Sequence, residues 1–174
     1  MKKLLVTTLA LVLLSQLASG QTISENLKRL ADESSQAFVK GDFGRVADLT
    51  FPKLVALMGG KEKMVAYLEK GTREMKAEGN EIFSMVPGDP TQIETIGEQV
   101  FAVLPVTLKI KVDKGTLIGK SFMIGVSNDD GKSWTFVDGS NLDERKMTVL
   151  FPTAVGKLKL PTVGPPTLVP DQKP

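Results

Sequence analysis

The run QVFAVLPVTLKIKVDKG, residues 99–115, alternates with a period of two along almost its whole length. Val100, Ala102, Leu104, Val106, Leu108, Ile110 and Val112 fall on one side, and Phe101, Val103, Pro105, Thr107, Lys109 and Lys111 on the other. A helix repeats its faces about every 3.6 residues and cannot use this pattern, whereas a long strand requires it. GTLIGKSFMIGVS (115–127) and WTFVDGS (134–140) follow as antiparallel neighbours, and NEIFSMV (80–86) and TQIETIG (91–97) precede it around the turn PGDP, Pro87 to Pro90. Pro105 removes one ladder donor, so a bulge, a bend or an edge is expected there.

Before Gly79 the period is helical. TISENLKRLADESSQAFVKGD (22–42) opens with Thr22 and Glu25 at capping-box spacing, and Ile23, Leu27, Leu30, Ser34 and Phe38 repeat on one face beside small Ala31 and Ala37. Gly41 ends this helix, and Asp42 caps a short second one carrying Phe43, Val46 and Leu49. Pro52 suits the first turn of a third, PKLVALM, closed by Gly59 and Gly60. A fourth lies in KEKMVAYLEKGTREMKAEG (61–79), with Met64, Val65, Leu68, Thr72 and Met75 on one face. Past the strands, LDERKMTVLFP predicts a short helix with Leu142, Met147, Leu150 and Phe151 as its apolar side. The tail PTVGPPTLVPDQKP holds five of the ten prolines and is expected to be extended or disordered, with a tether or a peptide ligand as the alternative.

Residues 1–20 read as a secretory signal peptide: Lys2 and Lys3, then LLVTTLALVLL, then LASG with cleavage after Gly20. A retained anchor is the alternative, although the apolar stretch falls short of the about 20 residues that span a bilayer. The expected organisation is a leader over 1–20, one α+β domain over 21–151 and a Pro-rich tail over 152–174. Without the leader, 20 basic and 20 acidic residues remain, so neither nucleic acid nor a membrane surface is expected as a partner. The 174 residues include no cysteine and no histidine. Disulfides, thiolate chemistry, the Ser-His-Asp arrangement and nearly all zinc sites are thereby excluded, and no cofactor is expected.

Helices followed by a run of antiparallel strands is an α+β order. With AFVKGDFGRVADL (37–49), FPKLVALMGGKEKMVAYL (51–68) and FMIGVSNDDGKSWTFVDG (122–139), that order resembles the nuclear-transport-factor-2-like superfamily, including its ketosteroid-isomerase-like and SnoaL-like members. The resemblance implies a cone: N-terminal helices in the concave face of a curved antiparallel sheet, with an apolar pocket. It also implies pairing through sheet faces, hence a homodimer. No catalytic set of the superfamily can be matched residue by residue. The element order, the leader and the absence of histidine and cysteine together point to an exported (secreted or periplasmic) non-catalytic module for a small apolar ligand or a protein partner. The alternative is a cofactor-independent isomerase or SnoaL-like enzyme.

Asp138 carries that alternative. Trp134, Phe136 and Asp138 alternate onto one face, so a carboxylate inside the cone would be desolvated and could act as a general base, with Tyr67 or Trp134 nearby. The competing role is a strand-end carboxylate that binds turn amides or a lysine. Tyr67, Trp134, Phe136 and Asp138 are the candidate ligand-binding residues. Met64, Met75, Met85 and Met123 could form an adaptable lining, with ordinary core packing as the alternative. Lys109 and Lys111 are expected on the solvent face, with a clamp for a ligand carboxylate as the alternative. The stretch SNDDGKSW, Ser127 to Trp134, resembles the Asp-box of sialidases. It occurs once in a chain too short for a propeller, and each of its residues has a structural task in a hairpin, so it is read as a turn. Calcium at Asp129, Asp130 and Asp143 would lack the spacing and terminal Glu of an EF-hand.

Overall fold

The computed structural model describes residues 23–171. The expected leader, Thr22 of the first cap and tail residues 172–174 lie outside the described residues. Helix α1 covers 23–40 and ends at Gly41, whose φ of 78° is one that side chains other than glycine's rarely adopt. Helix α2, Phe43–Asp48, begins where the Asp42 carboxylate accepts from the Arg45 amide at 3.0 Å. Helix α3, Pro52–Leu57, starts on its proline, and α4, Lys61–Ala77, runs from Gly60 to the turn at Gly79. Helix α5, Glu144–Leu150, is capped by Asp143 on the Lys146 amide at 2.7 Å.

The strands are β1 (Glu81–Pro87), β2 (Gln92–Ile96), β3 (Gln99–Val112), β4 (Gly115–Ser127), β5 (Thr135–Asp138) and β6 (Thr167–Pro170), all antiparallel. Two long strands form the spine: β3 pairs with β4 from Val100↔Ser127 to Val112↔Gly115. Each carries two short strands on its outer edge, β1 and β2 on β3, β5 and β6 on β4. The sheet curls into a half-barrel with helices packed on it, an α+β cone. Pro105 stands where β1 gives way to β2. Its carbonyl accepts from the Gly88 amide at 2.7 Å, so its missing N–H faces the same gap, where no ladder partner is needed. The tail is extended: β6 pairs Thr167–Pro170 with Gly115–Ile118 as an edge strand with all four residues exposed.

Both faces of the spine are buried at the β2–β5 end. On the concave face, Val100, Ala102, Leu104 and Val106 pack with Leu27, Leu30 and Ala31 of α1. Gly125, opposite Ala102, makes room for that helix, because a Cβ there would stand 3.0 Å from Leu27 and 3.2 Å from Trp134. On the convex face, Phe101, Val103, Ile124, Val126 and Val137 pack under Met147, Leu150 and Phe151. The packed chain continues past Phe151 through buried Ala154 and Leu158. Phe151 meets Phe101 edge-on at 5.7 Å and Phe51 at 5.1 Å.

If this second layer carries the fold as the first does, Phe151→Ala costs about 3–5 kcal/mol in urea unfolding, the range for a fully buried aromatic. A loss below about 1 kcal/mol would mean that the convex layer is peripheral.

Candidate binding cavity and hairpin

Helix α1 cannot roof the whole concave face. Beyond its reach, α4 lies across α2, α3 and β1 with only Met64 buried along its 17 residues. The space left beneath is a cavity of about 360 Å3. Ser34 and Phe38 of α1, Val46 of α2, and Met64 and Leu68 of α4 form its helical wall. Ile82, Met85, Leu108, Met123 and Phe136 form its sheet wall. Exposed Tyr67, Asp138 and Ser140, with half-buried Leu54 and Met58, mark its mouth. A larger pocket of about 530 Å3 shares Phe38 and Ile82 with it, but is lined by Lys40, Glu69, Arg73, Lys76 and Glu81. Its charges are mixed, and Lys76 pairs with Glu81 at 2.8 Å, so it offers less to an apolar ligand.

Of the four candidate ligand-binding residues, Tyr67, Phe136 and Asp138 line the cavity. Trp134 does not: it is 2 % exposed, packed behind Phe136, and its indole N–H donates to the Gly131 carbonyl at 3.1 Å. Asp138 shares the concave face, opposite Met123, but at the strand end its carboxylate is exposed. It accepts from the Ser140 amide at 3.2 Å, the Ser140 hydroxyl, and the Ser121 hydroxyl at 3.5 Å. The desolvation that a general base at this position requires is therefore not built in. Met64, Met85 and Met123 meet in the cavity with Met58, while Met75 faces the mixed pocket. Lys109 and Lys111 are exposed near the end of β3 and line neither pocket. Ile82, Leu108 and Ser140 are among the lining residues that the sequence candidates do not include. Leu108 had a signal, since it shares its β3 side with Leu104 and Val106; Ser140 follows a glycine and has no periodic neighbour.

SNDDGKSW closes the β4–β5 hairpin by its own side chains. The Ser127 hydroxyl donates to Asp129 Oδ1 at 2.8 Å and accepts from the Gly131 amide at 2.8 Å. Asp129 also accepts from the Ser133 amide at 2.8 Å and hydroxyl at 2.6 Å. These donors, with Ser133 foremost, pull the Asp129 carboxyl down from 3.8 to about 2. Gly131 has a φ of 82°, and a side chain there would strike Ile23 at 2.9 Å. Asn26 of α1 donates to the Gly131 carbonyl at 3.2 Å, so the loop also holds the helix in place. Among the described residues, no group of three or more His, Cys, Asp or Glu is arranged to hold a metal ion. No family model, curated protein or solved structure matches the chain.

Asp129 is ionised in the folded chain down to about pH 2, whereas the unfolded chain protonates it near 3.8. Its contribution is complete above pH 3.8 and is lost as pH falls towards 2. Comparing urea midpoints at pH 5 and pH 2.5, Asp129→Asn should lose less stability on acidification than the parent chain. At pH 7 the variant should be weaker by about 1 kcal/mol. Equal acid sensitivity of the two chains would refute this role.

Proposed function

We propose that this chain is an exported, non-catalytic binding module of the nuclear-transport-factor-2-like type, which holds a small apolar ligand inside its cone. The observation that carries the reading is the 360 Å3 cavity between α1, α4 and the concave sheet face, lined mainly by aliphatic, aromatic and methionine side chains. Ligand pockets fall at about 300–1,000 Å3 and are mostly apolar with a few polar groups at fixed places. The order of elements and the curled sheet support the superfamily, and the leader-like residues 1–20 support export. Methionines suit a pocket that must adapt, because an unbranched thioether repacks easily. A homodimer belongs to the same reading, supported by exposed Phe83 and Val86 on β1, the strand at one end of the sheet path.

The small neutral dye 1-naphthylamine, whose size matches the cavity, should bind with a blue-shifted fluorescence at one site per chain. Met85→Trp, which fills the cavity from the sheet side, should weaken it at least about tenfold, the equivalent of about 1.4 kcal/mol. Unchanged affinity in a folded variant would place the dye elsewhere and remove the reading. Sedimentation equilibrium should show a dimer that Phe83→Lys converts to monomers, and a monomeric parent chain would remove the homodimer.

A further inference from the structure

The cavity carries one formal charge. Among its lining residues only Asp138 is ionisable at neutral pH, and it stands at the mouth beside Ser140 and Tyr67. Its present partners are the neutral Ser140 and Ser121 groups already described, and none of the ion pairs among the described residues includes it. An ionised carboxylate accepts at about four positions and donates none. The mouth thus retains room for a further donor and repels a second anion.

The interior sets the other half of the ligand. At roughly 30 Å3 per water-sized atom, the share a water takes in the liquid, about 360 Å3 holds about a dozen non-hydrogen atoms. Apart from two hydroxyls, those of Ser34 and Thr50, the walls above the mouth offer only carbon and sulfur, and Thr50 already donates to the Val46 carbonyl at 2.8 Å. A polar group in the depth would lose its water without compensation, so the ligand's polarity belongs at one end.

Building on the binding reading above, we propose that the cavity takes a cationic amphiphile: an apolar body of about a dozen heavy atoms whose ammonium head sits at the mouth on Asp138. An ammonium has donors only and a carboxylate acceptors only, so the head can place a charge-assisted bond in the position that Ser140 and Ser121 leave open. A fatty carboxylate of the same length would bring like charge to the same place. Occupation also shields Asp138 from water on the cavity side, which strengthens the pair relative to an open surface contact. Tyr67, across the mouth on α4, places an amphipathic ring against the head of the ligand.

The test is competition against bound 1-naphthylamine at pH 7 by decylamine, 1-decanol and decanoate, which share one apolar body. Decylamine should displace the dye at least about tenfold below decanoate, with decanol between, and the gap should narrow as salt is raised. Asp138→Asn should collapse the amine-to-alcohol ratio towards one, whereas Glu94→Gln, which removes an exposed carboxylate on β2, should leave that ratio as it is. Decanoate equal to or better than decylamine would overturn the cationic head while leaving the apolar cavity standing. An amine preference that survives Asp138→Asn would overturn the assignment to Asp138. Failure of the dye itself to bind would overturn the binding reading and this inference together.

Discussion

The pairing of β3 with β4 is the constraint on which the rest depends, because at one end both its faces are buried in layers of different depth. Ala102 and Gly125 face one another on the concave side and leave the shallow place into which α1 presses. Phe101 and Val126 face one another on the convex side, where Phe151 meets the Phe101 ring. A slip of one residue in either strand would send its side chains to the wrong layer. It would put Val126 where Gly125 leaves no room even for a Cβ beside Leu27, or the Phe101 ring in the place of Ala102. The two layers therefore select the register together, and neither could do so on alternating hydrophobicity alone.

The cavity is a consequence of lengths. Helix α1 over 23–40 is about 27 Å long, and β3 is about 46 Å long, so one helix cannot cover both halves of the strand. The remainder of the concave face, around Leu108 and Met85, falls to α4. That helix spans from Gly60 to Gly79 and buries little of itself, touching its neighbours along one stripe. A roof of this kind leaves space beneath it where a second fully buried helix would have filled it. Local details serve the same division. Thr50 lies beside Phe136 through the Leu49 carbonyl and the Phe51 amide, which brings the α2–α3 corner to the cavity rim. Arg45 on Glu33 at 2.7 Å fastens α2 to α1.

The elements themselves could be read from the chain because each rests on local chemistry. Gly41, Gly59, Gly60 and Gly79 punctuate the helices at positive φ, Asp42 and Asp143 cap helices, and SNDDGKSW closes its hairpin with side chains no more than a few residues apart. The two-sided burial of β3 was written in Phe101 and Val103, which are as apolar as their neighbours, and the charge at Lys109 and Lys111 marked where the outer face becomes wet. What could not be read were relations set by distance. The removal of Trp134 from the cavity depends on the depth at which α1 crosses Gly125, which alternation does not encode. The exposure of Asp138 depends on its being the last residue of β5, a matter of one step in strand length. The edge strand in a proline-rich tail had no local signal, since its hydrogen bonds go to Gly115–Ile118, about fifty residues away.

This division of the sheet also distributes stability. The half near Trp134 and Phe101 is packed on both sides, and opening it exposes two layers at once. The half around Leu108 and Met85 is covered by a lightly buried helix on one side and bears exposed lysines on the other. Local openings follow the density of buried contacts, so α4 and its end of the sheet open at lower cost than the hairpin core. A ligand that filled the cavity would touch Met64, Leu68 and Met85 at once, contacts that an opening of α4 would break. Its binding free energy would therefore add to the stability of the weaker half and hardly at all to that of the core. Under the binding reading proposed above, occupation of the cavity would thus be coupled to the ordering of α4 over the sheet, while the doubly buried end of β3 and β4 holds the frame.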